Sequence, residues 1–469
     1  MYTSNFTNLI LNVDSYKASH WLQYPKGTEY ISYYIEARRG EFDVVMFGLQ
    51  AFIKEYLLKP ISQQDIDDAE IVLKAHGLPF HKEGWQHLLE KHQGYLPLKI
   101  EAVPEGTVLP VGNVVCQITN TDPDFFWLVG YLETALLRAI WYPSTVASLS
   151  YLCKKQIKQA LIKSADDLSS LDFQLHDFGA RGASSLETVA LGGLAHLVNF
   201  KGTDSVSALL AAKRWYNVNE MPAFSIPAAE HSTITAWGKD REVDAYQNMV
   251  EQFAGEGKLY SVVSDSYDLW NALEHIWGEQ LKDMVIEKGG RLVIRPDSGN
   301  PIEIVCKTLE ILAEQFGYRL NQKDYKVLPD YLRIIQGDGI NPKSLPQILD
   351  AIIEKGFSVE NVNFGMGGGL LQQVNRDTMS WAMKASAICI NGQWQEIYKD
   401  PITSQSKRSK KGVLALVKSA NNWETIKLSE LNGQTNQLQT VFLNGELCFE
   451  ENLTEIRHRS EAYLANTKN

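Results

Sequence analysis

The chain contains no run of about 20 mostly apolar residues, the length a helix needs to cross a bilayer. Its most apolar stretch, 125–142, is broken by Glu133 and Arg138 and predicts a buried amphipathic helix. The opening segment MYTSNFTNLILNVDSYK has no basic region followed by an apolar one, so no signal peptide is expected. Cysteine is scarce: Cys116, Cys153, Cys306, Cys389 and Cys448 lie scattered, with no CxxC and no Cys/His ligand spacing. This excludes a disulfide framework and a structural zinc site, and predicts reduced thiols in a cytoplasmic protein. Excess positive charge is also lacking. At a net charge of −11 no whole-molecule field gathers nucleic acid or anionic membrane, and neither is an expected partner. Phosphate-rich ligands must be held by local cations. Low-complexity linkers and repeats are missing, and 407–411 is the one dense basic run.

What is present is an ordinary soluble composition, 44% hydrophobic and 22% charged, over 469 residues, enough for two or three domains. Between about 170 and 370 the pattern alternates strand and helix. Candidate strands are 172–178, 196–200, 223–226, 259–264, 292–295, 332–336 and 362–364. Amphipathic stretches at 185–194, 243–253, 267–285, 303–316 and 345–355 lie between them. Strands separated by single helices make parallel βαβ units. Seven in succession predict an α/β fold with an irregular (β/α) barrel. Residues 1–150 and 376–469 lack the alternation. They carry helical patterns at 45–58 and 64–76, and strand-like pieces at 97–103, 113–118, 388–391, 396–398 and 440–443. The expected organisation is therefore one α+β domain from both chain ends (1–150 plus 376–469) around a barrel domain (151–375).

Chemistry gathers where each candidate strand ends. In order these ends read Phe178-Gly179-Ala180-Arg181, Lys201-Gly202-Thr203-Asp204, Ala229-Glu230-His231, Ser264-Asp265-Ser266, Arg295-Pro296-Asp297, Gln336-Gly337-Asp338 and Gly365-Met366-Gly367-Gly368-Gly369. Arg295 and Asp297 share a face because side chains alternate with period two. In a barrel all these ends converge on one rim. Glycine turns offer backbone N–H groups to phosphate, and carboxylates can hold Mg²⁺ or stabilise a cationic sugar. That mixture suits a phosphorylated sugar, a diphosphate leaving group and a flat aromatic ring. Each element has a plainer reading: Asp265 and Ser266 as a helix cap, His231 as structural, Phe178 as core, 407–411 as a solvated loop. Convergence on one rim favours the site.

The strings DSYKASH (14–20), HDFGARGASSLET (176–188), HLVNFKGTDSV (196–206), IPAAEHSTITAWGKD (226–240), VVSDSYD (262–268), IRPDSGNP (294–301), IQGDG (335–339), FGMGGGLLQ (364–372) and KDP…KRSKKG (399–412) resemble the nicotinamide phosphoribosyltransferase family. The resemblance implies transfer of phosphoribose from phosphoribosyl pyrophosphate to nicotinamide, releasing nicotinamide mononucleotide and pyrophosphate. It implies Mg²⁺, ATP as co-substrate through a phosphohistidine, and a homodimer with shared sites. His231 would be the phosphoacceptor beside Glu230, with Asp265 and Asp297 supporting Mg²⁺ and the imidazole. Phe178 would stack one face of the pyridine and a partner subunit's tyrosine, Tyr16 in this numbering, the other. Arg181, Asp204, Ser225 and Arg295 would lie near the base. Gly337, Asp338, Gly367 and Gly368 would hold ribose and 5′-phosphate, and Arg38, Arg376, Lys384, Lys399 and Lys407 the remaining phosphates. Ala382 and Met366 stand where the family pattern has serine. Open alternatives are a nicotinate transferase, a transferase for another base, and a non-catalytic binding protein on the same scaffold.

Overall fold

The computed structural model describes residues 6–400, 409–419 and 422–466. Two compact units emerge. One comprises Met1–Ser148, Ala212–Val218 and Asn375–Asn469, the other Leu149–Ala211 and Asn219–Val374.

The first unit is built on an antiparallel sheet of seven strands. Its order is Gln393–Glu396, Trp381–Ile390, Thr28–Ala37, Val114–Asn120, Leu98–Ala102, Gln439–Leu443, Glu446–Leu447. Strands from both chain ends interleave, and Tyr34 stands opposite Lys384 in the register. Leu98, Ile100 and Ala102 are buried and alternate with less buried neighbours, the period of a one-sided strand. The helix Gln63–Ala75 starts at a capping box, where Ser62 and Asp65 bond each other's backbone N–H. The expected helix over 45–58 is divided: Val44–Val45 pairs as a strand, Gly48 turns the chain at φ 100°, and helix begins at Leu49.

The second unit carries a parallel sheet in the order Gly202–Thr203, Leu175–Asp177, Val362–Met366, Leu332–Gln336, Arg291–Arg295, Leu259–Val263. Its two edge strands are joined by one irregular stretch: Phe224 bridges to Gly202, and Ala228 bridges to Ser261. Six regular strands and this seventh stretch make the irregular barrel that the alternation predicts. The helix Pro301–Phe316 opens at Asn300, whose side chain caps Ile302 N–H, and buries Val305, Leu309 and Leu312 at helical spacing.

Further sequence expectations change in this unit. The apolar run 196–200 is not a strand; His196 closes the helix Leu186–His196 and the strand follows at Gly202–Thr203. A short buried apolar run carries no period that separates helix from strand. The helix expected over 267–285 is interrupted, with a π-helical section at Ala272–Gln280 before Lys282–Lys288.

Candidate active site

Strand alternation sets the inner wall of the barrel. His176 and Phe178, Arg291, Val293 and Arg295, and Arg333 and Ile335 all line one cavity of about 630 Å³. Its lining also includes Asp204, Ser225, Ser261 and Asn363, so small and polar side chains leave space where a barrel is usually filled.

Phe178 is fixed by its backbone N–H, which donates to Met366 O at 3.0 Å. Its ring occupies room that a side chain at Gly365 would need: a Cβ there would stand 2.1 Å from Phe178 Cε2. Asp204 is anchored by its own N–H, which donates to Asp177 O at 3.0 Å. Asp204 Oδ1 accepts from His176 Nε2 at 2.9 Å and Ser225 Oγ at 2.6 Å. Burial alone would push this carboxyl up, but those bonds and the charges of His176 and Arg295 outweigh it and hold it below its usual range.

At the neighbouring strand end, His231 stands between two carboxylates. Its Nε2 lies 2.9 Å from Asp265 Oδ1, and its Nδ1 lies 3.9 Å from Asp297 Oδ2. Asp265 Oδ2 accepts from the Asp297 N–H at 3.1 Å and Ser298 Oγ at 2.6 Å. Burial raises the Asp265 carboxyl, yet the bonds from Ser298, His231 and Asp297 N–H hold it low. Asp297 moves the other way: burial pushes it up, Asp265 and Asp338 add to this, and Arg295 and His231 offset part of it. Arg295 places a terminal nitrogen 3.9 Å from Asp297 Oδ2, so the same-face pairing is present. Its Nε is buried without a partner.

Glu230 opens the short helix His231–Thr235 and accepts from Ser232 Oγ. The exposed Arg181 approaches Glu230 at 3.9 Å. Gly337 and the exposed Asp338 lie at the end of the strand Leu332–Gln336, and Gly367 and Gly368 follow Val362–Met366. Met366 is fully buried and packs toward Gly369, so its thioether belongs to the core.

The first unit gathers cations. Lys384 is half-buried; burial lowers its ammonium pKa, and Arg38, Lys17 and Lys399 lower it further while Glu133 opposes them. Arg38 Nε donates to Ser380 O at 3.3 Å. Lys399 N–H donates to Ser409 Oγ at 2.8 Å. Arg376 is exposed and pairs with Asp377 at 3.0 Å. Tyr16 is 57% exposed, with its ring 5.0 Å from that of His20. Ala382 is buried opposite Glu36. Lys407 lies outside the described residues. No group of three or more His, Cys, Asp or Glu forms a metal cage among the described residues.

Several participants escape a reading of strand ends alone. His176, in the strand Leu175–Asp177, precedes Phe178 by two residues in extended chain, and that spacing is the signal that places both on one face. The buried Asp177 accepts from Gly179 N–H and Thr203 Oγ1, tying two strand ends together. Ser298 was visible only as the neighbour of Asp297.

The rim carboxylates and imidazole sit at the carboxyl ends of parallel strands, where barrel enzymes carry their active sites. Sequence comparison makes this specific. Residues 173–446 match the nicotinate phosphoribosyltransferase (NAPRTase) family, and residues 8–100 match the nicotinamide phosphoribosyltransferase N-terminal domain. The chain belongs to the nicotinate phosphoribosyltransferase family and is a phosphoribosyltransferase. It is 49% identical over 463 residues to the nicotinamide phosphoribosyltransferase of Xanthomonas campestris pv. campestris, covering 97% of this chain and 98% of that protein. It is 32% identical to the nicotinamide phosphoribosyltransferase of Acinetobacter baylyi, covering 97% of each. Among solved structures, the nicotinate-nucleotide pyrophosphorylase of Pyrococcus furiosus shares the fold, with a TM-score of 0.62, 15% identity, and coverage of 100% of this chain and 99% of that one. Human nicotinic acid phosphoribosyltransferase does so with a TM-score of 0.56, 16% identity, and coverage of 96% and 93%.

Proposed function

We propose that the protein transfers the phosphoribosyl group of phosphoribosyl pyrophosphate to nicotinamide, giving nicotinamide mononucleotide and pyrophosphate in NAD biosynthesis. The observation that carries this reading is the ionised Asp204 in the cavity wall beside Phe178. A carboxylate accepts from a carboxamide N–H₂ and repels a carboxylate, which favours nicotinamide over nicotinate. Phe178 stacks on the pyridine, and Arg295, with its unpartnered Nε, and Ser225 bond the base or ribose. Glu230 and Arg181 border the same rim. Gly337, Asp338, Gly367 and Gly368 take the ribose and 5′-phosphate, and Arg38, Arg376, Lys384, Lys399 and Lys407 take the remaining phosphates.

ATP is the co-substrate in this reading. Asp265 holds the His231 proton on Nε2, which leaves Nδ1 as the nucleophile toward a γ-phosphoryl group. Mg²⁺ suits the spot beside Asp297, where a cation relieves the repulsion from Asp265 and Asp338. Asp265 suits it less, because both its oxygens already accept hydrogen bonds. When bound, the ion neutralises charge on the departing diphosphate. A homodimer supplies Tyr16 from the partner subunit; the exposed Leu186, Val206, Leu210 and Met221 give the barrel unit apolar surface for such a contact. Five free cysteines, four of them buried, suit the reducing cytoplasm, and no helix of the described residues is long and apolar enough to cross a membrane.

The test mixes the protein with nicotinamide, phosphoribosyl pyrophosphate, Mg²⁺ and ATP and separates the products. Nicotinamide mononucleotide and pyrophosphate in equal amounts are expected. Absence of both would contradict nicotinamide as the acceptor base.

A further inference from the structure

One side chain touches both the ring platform and the amide acceptor. His176 packs on Phe178 with ring centroids 5.1 Å apart and planes at 51°, while its Nε2 meets Asp204 Oδ1 at 2.9 Å. On its other side the imidazole leans on Gly202, its register partner in the adjacent strand. A Cβ at Gly202 would stand 2.6 Å from His176 Nδ1, so the approach exists only because that residue is glycine.

Asp204 is consequently constrained at both ends. Its backbone N–H donates to Asp177 O, and its Oδ1 is shared by His176 and Ser225. With Oδ1 doubly engaged, Oδ2 is the oxygen left for a ligand, and Asp204 lines the same cavity as Phe178. Recognising a flat ring and its carboxamide at once requires the ring platform and this oxygen to keep a fixed separation. A carboxyl torsion is soft by itself. The imidazole removes that freedom.

We propose that His176, given room by Gly202, is a positioning residue that determines base specificity by fixing Asp204 Oδ2 relative to Phe178. It acts through Asp204 and makes no contact with the reacting atoms. The inference rests on the proposed choice of nicotinamide by Asp204, so the test must separate the two.

The experiment measures kcat/KM for nicotinamide and for nicotinate in the unaltered protein and in three variants. His176→Phe retains an aromatic ring but has no donor. Gly202→Ala retains the imidazole and displaces it. Asp204→Ser tests the underlying reading. For His176→Phe and Gly202→Ala the amide-to-acid ratio should fall about tenfold, the worth of one hydrogen bond to a charged group, with nicotinate transfer retained. His176→Gln, which restores a donor, should recover part of the ratio. An unchanged ratio in His176→Phe and Gly202→Ala, with a lowered ratio in Asp204→Ser, overturns the role of His176 and leaves that of Asp204 standing. Equal loss of both turnovers also overturns it, since a purely structural role moves both substrates together. If Asp204→Ser leaves the ratio unmoved, both readings fall.

Discussion

His231 Nε2 lies 2.9 Å from Asp265 Oδ1, and the other oxygen of that carboxylate is held at 2.6 Å by Ser298. Asp265 is thus an oriented acceptor that selects one tautomer of the imidazole. His231→Ala should abolish ATP hydrolysis and its stimulation of transfer while a basal, ATP-independent rate persists. Asp265→Asn should lower the ATP-stimulated component about a hundredfold, the low end of what a positioned acid–base partner contributes. Coupled assays for ADP and nucleotide product check both, and undiminished ATP hydrolysis in His231→Ala contradicts the assignment.

Gly365→Ala should act as a mutation of Phe178 without touching it. The added Cβ would stand 2.1 Å from the ring, so the ring must move off its seat. The expected effect is a rise in nicotinamide KM of roughly two- to tenfold, in line with an aromatic contact worth about 0.5–1.5 kcal/mol. Phe178→Ala should match it in direction, and the double variant should be less than additive because both act on one contact.

Asp204→Ser should narrow the preference for nicotinamide. Two like charges ~4 Å apart cost ~1 kcal/mol in water and ~4 kcal/mol at an effective dielectric near 20, which spans roughly five- to a thousandfold in selectivity. Competition between the two bases in one reaction vessel reads this directly.

Mixing Tyr16→Ala chains with Asp297→Ala chains tests the shared site. The Asp297→Ala parent should be nearly inactive and the Tyr16→Ala parent should show a raised nicotinamide KM, and exchanged dimers should regain part of the activity at the unaltered KM because some sites hold neither substitution. Absence of recovery after chain exchange is demonstrated counts against sharing.

The barrel and its rim were legible because their signals are local. Apolar positions repeat at helical spacing in Pro301–Phe316, and most strand ends carry Gly or Asp in the turn that follows. Arg295 and Asp297 followed from period two alone. What was hidden depends on contacts across strands. The stretch expected as a strand at 223–226 was legible as an element, but its reduction to bridges at Phe224 and Ala228 was not. His196 looked like the start of a strand because buried apolar runs have no readable period. The double hold on Asp204 joins residues from three segments, 28 and 21 positions apart from it, and no spacing rule reports that.

Away from the site, Glu105 gives a stability prediction. It is buried, accepts from the Gln50 N–H at 2.8 Å and Tyr216 Oη at 2.7 Å, and lies near Glu451. Burial pushes its carboxyl up to about 7, against the ordinary value of 4.5. A raised acid favours folding while protonated, and that contribution disappears as pH rises through the folded value. Thermal stability should therefore decline between pH 4.5 and about 7, by up to about 3 kcal/mol from this group. Glu105→Gln should flatten that part of the profile. Identical melting profiles for the two proteins across the window contradict it.

The most direct test compares kcat/KM for nicotinamide and nicotinate in parallel, with and without ATP, using phosphoribosyl pyrophosphate and Mg²⁺. The account predicts nicotinamide mononucleotide as the favoured product by at least about fivefold, with ATP raising its yield. Equal or greater kcat/KM for nicotinate contradicts the account at its centre.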